Sequence, residues 1–463
     1  MDIEQILSIL IFSVMFIAVV WGKIHRCIPA LIGGGATIIL ILAVVHPGPE
    51  TLWHVLRVYD FVDPHWWFGK HTVEAVQETA NSSSPEIGGV NWQTIVFILG
   101  MMVMVEGLGR VGFFRWICLW TAKLVNYRVV PILIAFMLLS GFLSMFIDSI
   151  TVMLFLATVT IELARMLKFD PVPVIIAEIF AANTGGSATM SGDPPNIIIG
   201  TSLGFSFSDF ITNTGPIAWI GMLVALAFFY LCFRKSLSKP SAETSNTSPN
   251  HYPEPGEAIT NHSLFRTNLG IFLLVVILLI THAYTGLSVA LIGVIAGGLI
   301  LLVARGERTF IIKGVDWRTL LFFFGLFVTV GGLEATGVLQ KLADSIRDAS
   351  GGEIILVVSL ILWISAFASA VVDNIPFAAA MVPVIRSLSG SLGHLPPLSW
   401  SLSLGTDIGG NGTPIGASAN VVGTAIAEKE GYPISWGRYC KYAMPAMILV
   451  VGACNVYLWL RYF

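Results

Sequence analysis

The chain alternates long apolar runs with short polar segments, and the alternation predicts its secondary structure. Eight runs approach or reach the roughly 20 apolar residues of a membrane-spanning helix. They cover residues 6–21, 28–45, 92–107, 216–233, 269–284, 287–303, 320–333 and 444–460. Longer hydrophobic regions that contain polar residues lie between them. The pattern predicts an all-α polytopic membrane protein.

The composition agrees with this prediction and excludes several functions. Of 463 residues, 55% are hydrophobic and 11% are charged, so a soluble enzyme is excluded. The net charge of −3 indicates no nucleic-acid partner. No P-loop sequence is present, and none of the five cysteines forms a C-x-x-C pair. We therefore expect a multi-pass protein of the plasma membrane with the lipid bilayer as its partner, no enzymatic activity and no cofactor.

The sequence contains an internal repeat that includes acids within membrane segments. Residues 91–94 read NWQT and residues 316–319 read DWRT. At the same spacing, Asp148 in the segment FIDSIT is matched by Asp373 in the segment VVDNIP. Acidic residues are rare within membrane spans and usually mark ion or proton pathways. A duplicated chain with paired acids therefore suggests a secondary transporter.

The distribution of basic residues predicts a hairpin in each half of the chain. Basic residues, which favour the cytoplasmic side, flank the region 130–166 at both ends. Two ordinary helices with an outside turn could explain this, but each arm would be short for a full crossing. We favour a re-entrant hairpin with Asp148 and Ser149 at its tip. The equivalent region, 354–386, would enter from the opposite side.

This reading divides the chain into two inverted repeats. Each repeat has five membrane spans, one of them broken, and one re-entrant hairpin, and an odd number of crossings inverts the second copy. The first repeat covers 1–233, with an external loop at 46–89, and the second covers 267–463. Residues 234–266 are rich in Ser, Pro, Asn and Glu and predict a flexible cytoplasmic linker.

The broken spans are predicted at about 172–200 and 400–427. Residues 183–196 read NTGGSATMSGDPPN and residues 407–420 read DIGGNGTPIGASAN. So many Gly, Pro and polar residues interrupt a helix, and the freed backbone groups must then bind protein, water or a ligand. Hydroxyl and amide side chains would add oxygen ligands suited to Na+, although close helix packing at glycines is the alternative reading. They are Thr184, Ser187, Thr189, Asn196, Asn411, Thr413, Ser418 and Asn420.

Four motifs together resemble the ArsB/NhaD branch of the ion transporter superfamily, and most closely the CitMHS and P-protein type permeases. They are FIDSIT, NTGGSATMSGDPPN, VVDNIP and DIGGNGTPIGASAN. The likeness covers nearly the whole chain outside the two variable loops. It implies a scaffold part and a transport part, often in a homodimer. Its members include Na+/H+ antiporters, arsenite and antimonite exporters, and sodium-coupled dicarboxylate symporters. The fold therefore limits the mechanism more than the substrate.

The resemblance also implies site residues. One cation site would use Asp148, Ser149, Asn183, Thr184 and Thr189, and the other Asp373, Asn374, Asp407, Asn411 and Thr413. The Na+ candidates are Asp148, Asn183, Asp373 and Asn411. The hairpin tips depart from the Ser-Asn-Thr of dicarboxylate symporters, and their added carboxylates would repel an anionic substrate.

The acids of the broken spans are unequal, since Asp193 is matched by Ala417 and Asn183 by Asp407. A buried carboxyl group can release its proton when a cation arrives, because both compete for one site. The best hypothesis is a Na+/H+ antiporter that works by alternating access, with a small inorganic ion and protons as its partners. The alternatives are a transporter of arsenite, antimonite or another anion such as chloride, and a sodium-coupled di- or tricarboxylate symporter.

Overall fold

The computed structural model describes residues 2–22, 24–40, 49–69, 89–237 and 252–463. In this part of the chain the protein is helical and contains no β-strand. The first half forms α1 Ile3–Trp21, α2 Cys27–Leu40, α3 Pro49–Leu56, α4 Pro64–Phe68, α5 Trp92–Arg110, α6 Phe113–Leu124, α7 Val129–Ser144, α8 Ser149–Leu167, α9 Val172–Gly186, α10 Pro194–Leu203 and α11 Phe207–Leu237. A 3-10 turn, Val58–Val62, separates α3 from α4.

The second half repeats this order, except that one short helix, Arg308–Gly314, stands in place of α3 and α4. It forms α12 His262–Thr285, α13 Val289–Val303, α14 Arg308–Gly314, α15 Trp317–Ala335, α16 Val338–Ala349, α17 Ile354–Val371, α18 Asn374–Leu392, α19 Leu395–Gly409, α20 Ser418–Lys429 and α21 Trp436–Tyr462. A 3-10 turn, Gly410–Gly412, continues α19. Within the described residues, α5 to α11 thus have counterparts in α15 to α21, and the predicted fold of two inverted repeats is confirmed.

The duplicated motif near residues 91 and 316 begins a helix in each repeat. Asn91 caps α5, because its side chain accepts a hydrogen bond from the Thr94 backbone N–H at 3.1 Å. Asp316 caps α15 in the same way, accepting from the Thr319 N–H at 3.2 Å. Such caps satisfy backbone donors that have no partner inside the helix. The repeated sequence therefore sets equivalent helix starts.

The two repeats exchange their scaffold helices. Helix α5 of the first repeat packs on α13 of the second, and α15 of the second packs on α2 of the first. The helices approach closely at glycines: a Cβ on Gly100 would lie 1.9 Å from the Gly293 carbonyl oxygen, and one on Gly325 would lie 2.4 Å from the Ala30 backbone. Small residues allow such close packing of membrane helices. This reciprocity gives the protein its pseudo-two-fold symmetry.

Two hairpins and two broken helices lie at the centre of the molecule. The first hairpin is α7 and α8, and the second is α17 and α18; the first broken helix is α9 and α10, and the second is α19 and α20. In each repeat the hairpin's first helix packs on its own broken helix. The hairpin's second helix packs on the far end of the other repeat's broken helix, α8 on α20 and α18 on α10. Both broken helices therefore meet both hairpins.

The helices are long and apolar enough for a membrane protein. Nine helices of the described residues have at least 18 residues and the hydropathy of a membrane span. Four shorter apolar helices, α2, α7, α9 and α13, accompany them. Many apolar side chains of α1, α12 and α17 are exposed, as expected for helices that face lipid. The protein is an integral multi-pass membrane protein, as the sequence predicts.

The predicted linker needs a correction at both ends. Residues 234–237 belong to α11, and α12 already begins at His262. Between them, Tyr252 stacks on Tyr127 with ring centroids 4.2 Å apart, and Lys123 Nζ donates to Glu254 Oε2 at 2.6 Å. These contacts hold the chain after residue 251 against the α6–α7 turn. The middle of the predicted linker, 238–251, lies outside the described residues.

The predicted external loop is partly described. Its residues 49–69 form the short helices α3 and α4. Trp92 Nε1 donates to the Leu56 carbonyl at 2.7 Å, and the Ser288 N–H donates to the Trp67 carbonyl at 3.0 Å, so both repeats hold this segment. Residues 46–48 and 70–88 of the loop lie outside the described residues, as does the predicted end of the second span at 41–45.

Candidate functional site

The same asparagine closes the break in each broken helix. Asn196 donates from Nδ2 to the carbonyls of Gly186 and Thr189, both at 3.1 Å. Its counterpart Asn420 donates to the carbonyls of Gly410 and Thr413, both at 2.7 Å. A helix break leaves carbonyl groups without helical partners, and a buried amide can satisfy them. The same pair of asparagine hydrogen bonds therefore orders both breaks, residues 187–193 and 413–417.

Each break is also bound to the hairpin beside it. The hydroxyl groups of Thr189 and Thr413 donate to the carbonyls of Met145 and Ala370, where the first helix of each hairpin ends. Close approach at a glycine accompanies the first of these bonds: a Cβ on Gly185 would lie 2.1 Å from the Gly141 carbonyl oxygen. In each repeat, hairpin and broken helix thus form one packed unit.

Asp193 connects the two hairpins. Ser149, at the first hairpin tip, donates to Asp193 Oδ1 at 2.9 Å. Asn374, at the second hairpin tip, donates to Asp193 Oδ2 at 3.1 Å. Because one carboxylate binds both tips, the tips lie at the same depth in the protein. The predicted pair of re-entrant hairpins, which enter from opposite sides, requires tips at a shared depth.

Three asparagines are hydrogen-bonded to one another where the broken helices meet. Asn183 donates from Nδ2 to Oδ1 of Asn411 at 2.9 Å and to Oδ1 of Asn420 at 2.8 Å. All three are fully buried. Asn183 Oδ1 and Asn411 Nδ2 have no hydrogen-bond partner in the described part of the chain. The cluster therefore holds a buried oxygen that is free to accept a ligand.

Asp407 lies fully buried in the second broken helix. Neither of its carboxylate oxygens accepts a hydrogen bond from a residue that the structure describes. The amide of Asn196 lies close to it but donates to backbone carbonyls instead, and Asn196 Oδ1 accepts from Ser403 at 2.6 Å. Asp193, which is 3% exposed, is within electrostatic range. An unpaired buried carboxylate is costly, so this position requires a proton or a cation.

The two hairpin-tip acids differ in their partners. Asp148 accepts hydrogen bonds from the Thr151 N–H at 2.9 Å and the Thr151 hydroxyl at 2.8 Å, and forms no ion pair with any described residue. Asp373 forms an ion pair with Arg26, whose Nη1 lies 2.9 Å from Oδ2. The duplicated acids are therefore not electrostatically equivalent.

The two groups of site residues that the sequence predicts are not kept apart. Ser149 of one group and Asn374 of the other bind the same carboxylate, and Asn183 binds Asn411 across the repeats. Two predicted ligands, Thr184 and Ser187, donate their hydroxyl hydrogens to carbonyls of their own helix at 2.8 and 2.7 Å. The structure therefore places one shared polar centre between the repeats.

Other acids of the membrane helices have local partners. Glu178 is fully buried and accepts a hydrogen bond from the Thr160 hydroxyl at 2.5 Å, although its Oε2 has no partner among the residues described. Glu106 pairs with Arg110 at 3.0 Å, and Glu334 lies 3.5 Å from Arg386. The latter two are structural ion pairs and lie outside the polar centre.

Sequence reasoning missed Arg26 and Ser403 as parts of this centre. The partner of Arg26, Asp373, lies 347 residues further along the chain. The repeat contains a clue. Ala30 is matched by Ala290, so Arg26, four residues earlier, is matched by Gly286 and has no basic counterpart. Only the structure brings this unmatched charge to a hairpin tip.

The chemistry of the centre is that of oxygen ligands. In the described residues, no group of three His, Cys, Asp or Glu side chains could hold a metal ion, and the five cysteines are free. The polar atoms available are carboxylate, amide, hydroxyl and backbone carbonyl oxygens, which suit a hard monovalent cation rather than a soft metal. A duplicated helical fold around such a buried centre defines a membrane transporter.

Comparison with known proteins gives the family. The profile of the CitMHS family, described as citrate transporter, matches residues 16–405, and the chain belongs to this family. It is 36% identical to the 46 kDa membrane protein of Mycobacterium leprae over 81% of this chain and 87% of that protein. A match at the same identity and coverage is the uncharacterized transporter Rv2685 of Mycobacterium tuberculosis.

More distant similarities agree with this assignment. The human P protein is 29% identical over 96% of this chain, which spans 58% of that longer protein. The crystal structure of the YdaH transporter of Alcanivorax borkumensis, described as having an unusual topology, superposes with a TM-score of 0.53. It covers 99% of this chain and 98% of that one at 15% identity, so the similarity concerns the fold.

Proposed function

We propose that the protein exchanges a monovalent cation, most simply Na+, for protons by alternating access. The observation that carries the proposal is the state of Asp407: its carboxylate is fully buried, and neither oxygen has a hydrogen-bond partner among the described residues. In a membrane interior such a group holds either a proton or a cation. Exchange between these two occupants is the elementary event of an antiporter.

Asp193 supports the same reading. It lies within electrostatic range of Asp407 and of both hairpin-tip acids, Asp148 and Asp373. Carboxylates at short range repel each other in a low-dielectric interior, so they favour a shared cation or proton between them. The open oxygens of Asn183 and Asp407 would serve as ligands to the cation, together with carbonyls at the breaks. In this proposal Na+ is the transported substrate.

The arrangement of units supports alternating access. Hairpin and broken helix form one packed unit in each repeat, and Asp193 links the two units through Ser149 and Asn374. A cation that replaces the proton on this network changes the charge where the units meet. Inverted repeats provide two equivalent arrangements of the same contacts, one open to each side.

An anionic substrate fits the centre less well. The family name includes citrate, and a tricarboxylate would need positive side chains to bind. Near the site the only cation among the described residues that contacts a hairpin tip is Arg26, which Asp373 already neutralises. Asp148, Asp193 and Asp407 would repel the anion. Arsenite export would be expected to use thiols, and the broken helices contain no cysteine.

The test uses proteoliposomes that contain a pH-sensitive dye. External Na+ or Li+ should move protons, and Asp407→Asn should reduce this signal at least tenfold. Asp170→Asn is the matched control, because Asp170 forms an ion pair with Arg438 near the protein surface and should leave the signal unchanged. Absence of any cation-evoked pH change between about pH 6 and 9 would overturn the proposal. Uptake of labelled citrate or succinate, and efflux of arsenite, would identify the alternatives.

A further inference from the structure

The guanidinium group of Arg26 lies in a site built by three elements of the second repeat. Its Nη1 donates to Asp373 Oδ2 at 2.9 Å and to the Ser418 hydroxyl at 3.0 Å. Its Nη2 donates to the Thr319 hydroxyl at 2.9 Å, and the group lies 5.1 Å from the centroid of the Phe322 ring. These partners belong to the second hairpin tip, the start of α20 and the first two turns of α15. The side chain itself comes from the first repeat.

Among the described residues, no such cation lies at the equivalent position of the first hairpin. Thr94 corresponds to Thr319 and Asp148 to Asp373, but Gly286 stands where the repeat would place Arg26. Thr94 shares a hydrogen bond with Thr201 at 2.9 Å, and Asp148 accepts hydrogen bonds from the Thr151 N–H and hydroxyl. The two hairpin tips therefore share a threonine and an aspartate, and they differ in the tethered positive charge and in Ser418, whose counterpart is Pro194.

A guanidinium group is well suited to replace a bound monovalent cation permanently. It stays charged at every physiological pH and donates through a rigid fork, so it cannot be displaced by protonation or deprotonation. It neutralises Asp373 and uses the oxygens that a sodium ion would need. The first hairpin tip keeps its carboxylate available.

We propose that Arg26 is a built-in cation that fills the second hairpin-tip site, so that each chain binds one transported cation rather than two. The inference rests on the proposed cation exchange and specifies its stoichiometry. Asp148, Asp193 and Asp407 then form a single exchange centre. The ion pair of Arg26 and Asp373 keeps the charge at the second hairpin tip constant. This gives the unequal repeats different roles.

The test compares wild-type protein with Arg26→Ala, in purified form. We expect equilibrium binding of radioactive sodium to rise from one to two ions per chain in Arg26→Ala. Guanidinium chloride at low millimolar concentration should raise the melting temperature of Arg26→Ala but not of wild type, because a ligand stabilises the state that binds it. Arg438→Ala, which breaks a surface ion pair, is the matched control and should show neither effect.

Several outcomes would decide against the inference. Two sodium ions in wild type, or an unchanged number and no guanidinium response in Arg26→Ala, would overturn it. If Arg26→Ala does not fold, Arg26→Lys retains the charge and should bind one ion, and two ions there would overturn the inference. Wild type that binds no sodium would refute the proposed function instead, and the guanidinium response would still decide whether Arg26 occupies a cation site.

Discussion

Asn374, at the tip of the second hairpin, donates a hydrogen bond to Asp193 in the break of the first broken helix at 3.1 Å. The two residues belong to opposite repeats. Asp193 also accepts a hydrogen bond from Ser149 at the first tip, so the same carboxylate binds both hairpins. Its counterpart is Ala417, so the connection exists once and not twice. The two repeats are related by pseudo-symmetry, but this central contact has no counterpart in the second repeat.

This contact should be measurable as a coupling energy. Asp193→Ala, which copies the residue of the second repeat, and Asn374→Ala should each destabilise the protein, and the double variant should lose less than the sum. We expect a coupling of about 1 to 3 kcal/mol, since hydrogen bonds to charged groups have this strength. Thermal unfolding in detergent gives the four values. Asn374→Ala combined with Asp170→Asn is the control pair, and it should be additive. Additivity of the first pair within about 0.5 kcal/mol would show that the bond contributes nothing.

Asp407→Asn should separate stability from transport. The carboxylate has no hydrogen bond to lose, and Asn is the residue found at the equivalent position, Asn183. Removing a buried unpaired charge should therefore leave the melting temperature unchanged or raise it, while cation-evoked proton movement is lost. Melting curves and the dye assay on the same preparation check both parts. A large fall in melting temperature would mean that Asp407 has a structural role, and the loss of transport would then be indirect.

Gly185 should tolerate no side chain. A Cβ there would lie 2.1 Å from the Gly141 carbonyl oxygen, which is backbone and cannot move aside easily. Gly185→Ala should separate the first hairpin from its broken helix, lower the melting temperature by several degrees and reduce transport.

Gly298 offers a matched control for this substitution. It lies inside α13, where an added Cβ would meet no atom within 4 Å. Gly298→Ala should be neutral or stabilising by up to about 1 kcal/mol, because alanine favours a helix more than glycine does. Equal effects of the two substitutions would contradict the packing that the structure shows between Gly185 and Gly141.

Much of the fold can be predicted from the sequence for physical reasons. Apolar runs of membrane length have few alternatives to a helix, and the NWQT and DWRT segments contain the caps that begin α5 and α15. The breaks are predictable because glycine and proline cannot continue a buried helix without help from other groups. The short helices α6 and α16 were not predicted, since their length and mixed polarity resemble those of loops.

The candidate site could be predicted only in part. The residue types and their repeated positions indicate an oxygen-rich centre, but not which oxygens remain open. Thr184 and Ser187 have the right chemistry and bond within their own helix instead. Asp373 occupies the position equivalent to Asp148 in the sequence. It nevertheless forms an ion pair with Arg26, which lies 347 residues away in the chain. Such pairings depend on how the repeats interleave, and local sequence does not encode that directly.

The apparent affinity for Na+ should increase with pH. If a proton and the cation compete for the Asp193 and Asp407 centre, protonation at low pH removes the binding form, and more Na+ is needed to half-saturate exchange. For one-to-one competition the half-saturating concentration should fall about tenfold for each pH unit while the centre is protonated, and then become constant. Initial rates of dye response at a series of pH values, with equal pH on both sides, provide this measurement. Asp170→Asn should follow the wild-type curve. A half-saturating concentration that does not change with pH would show that cation and proton use separate groups, and that competition at the buried carboxylates is not the coupling mechanism.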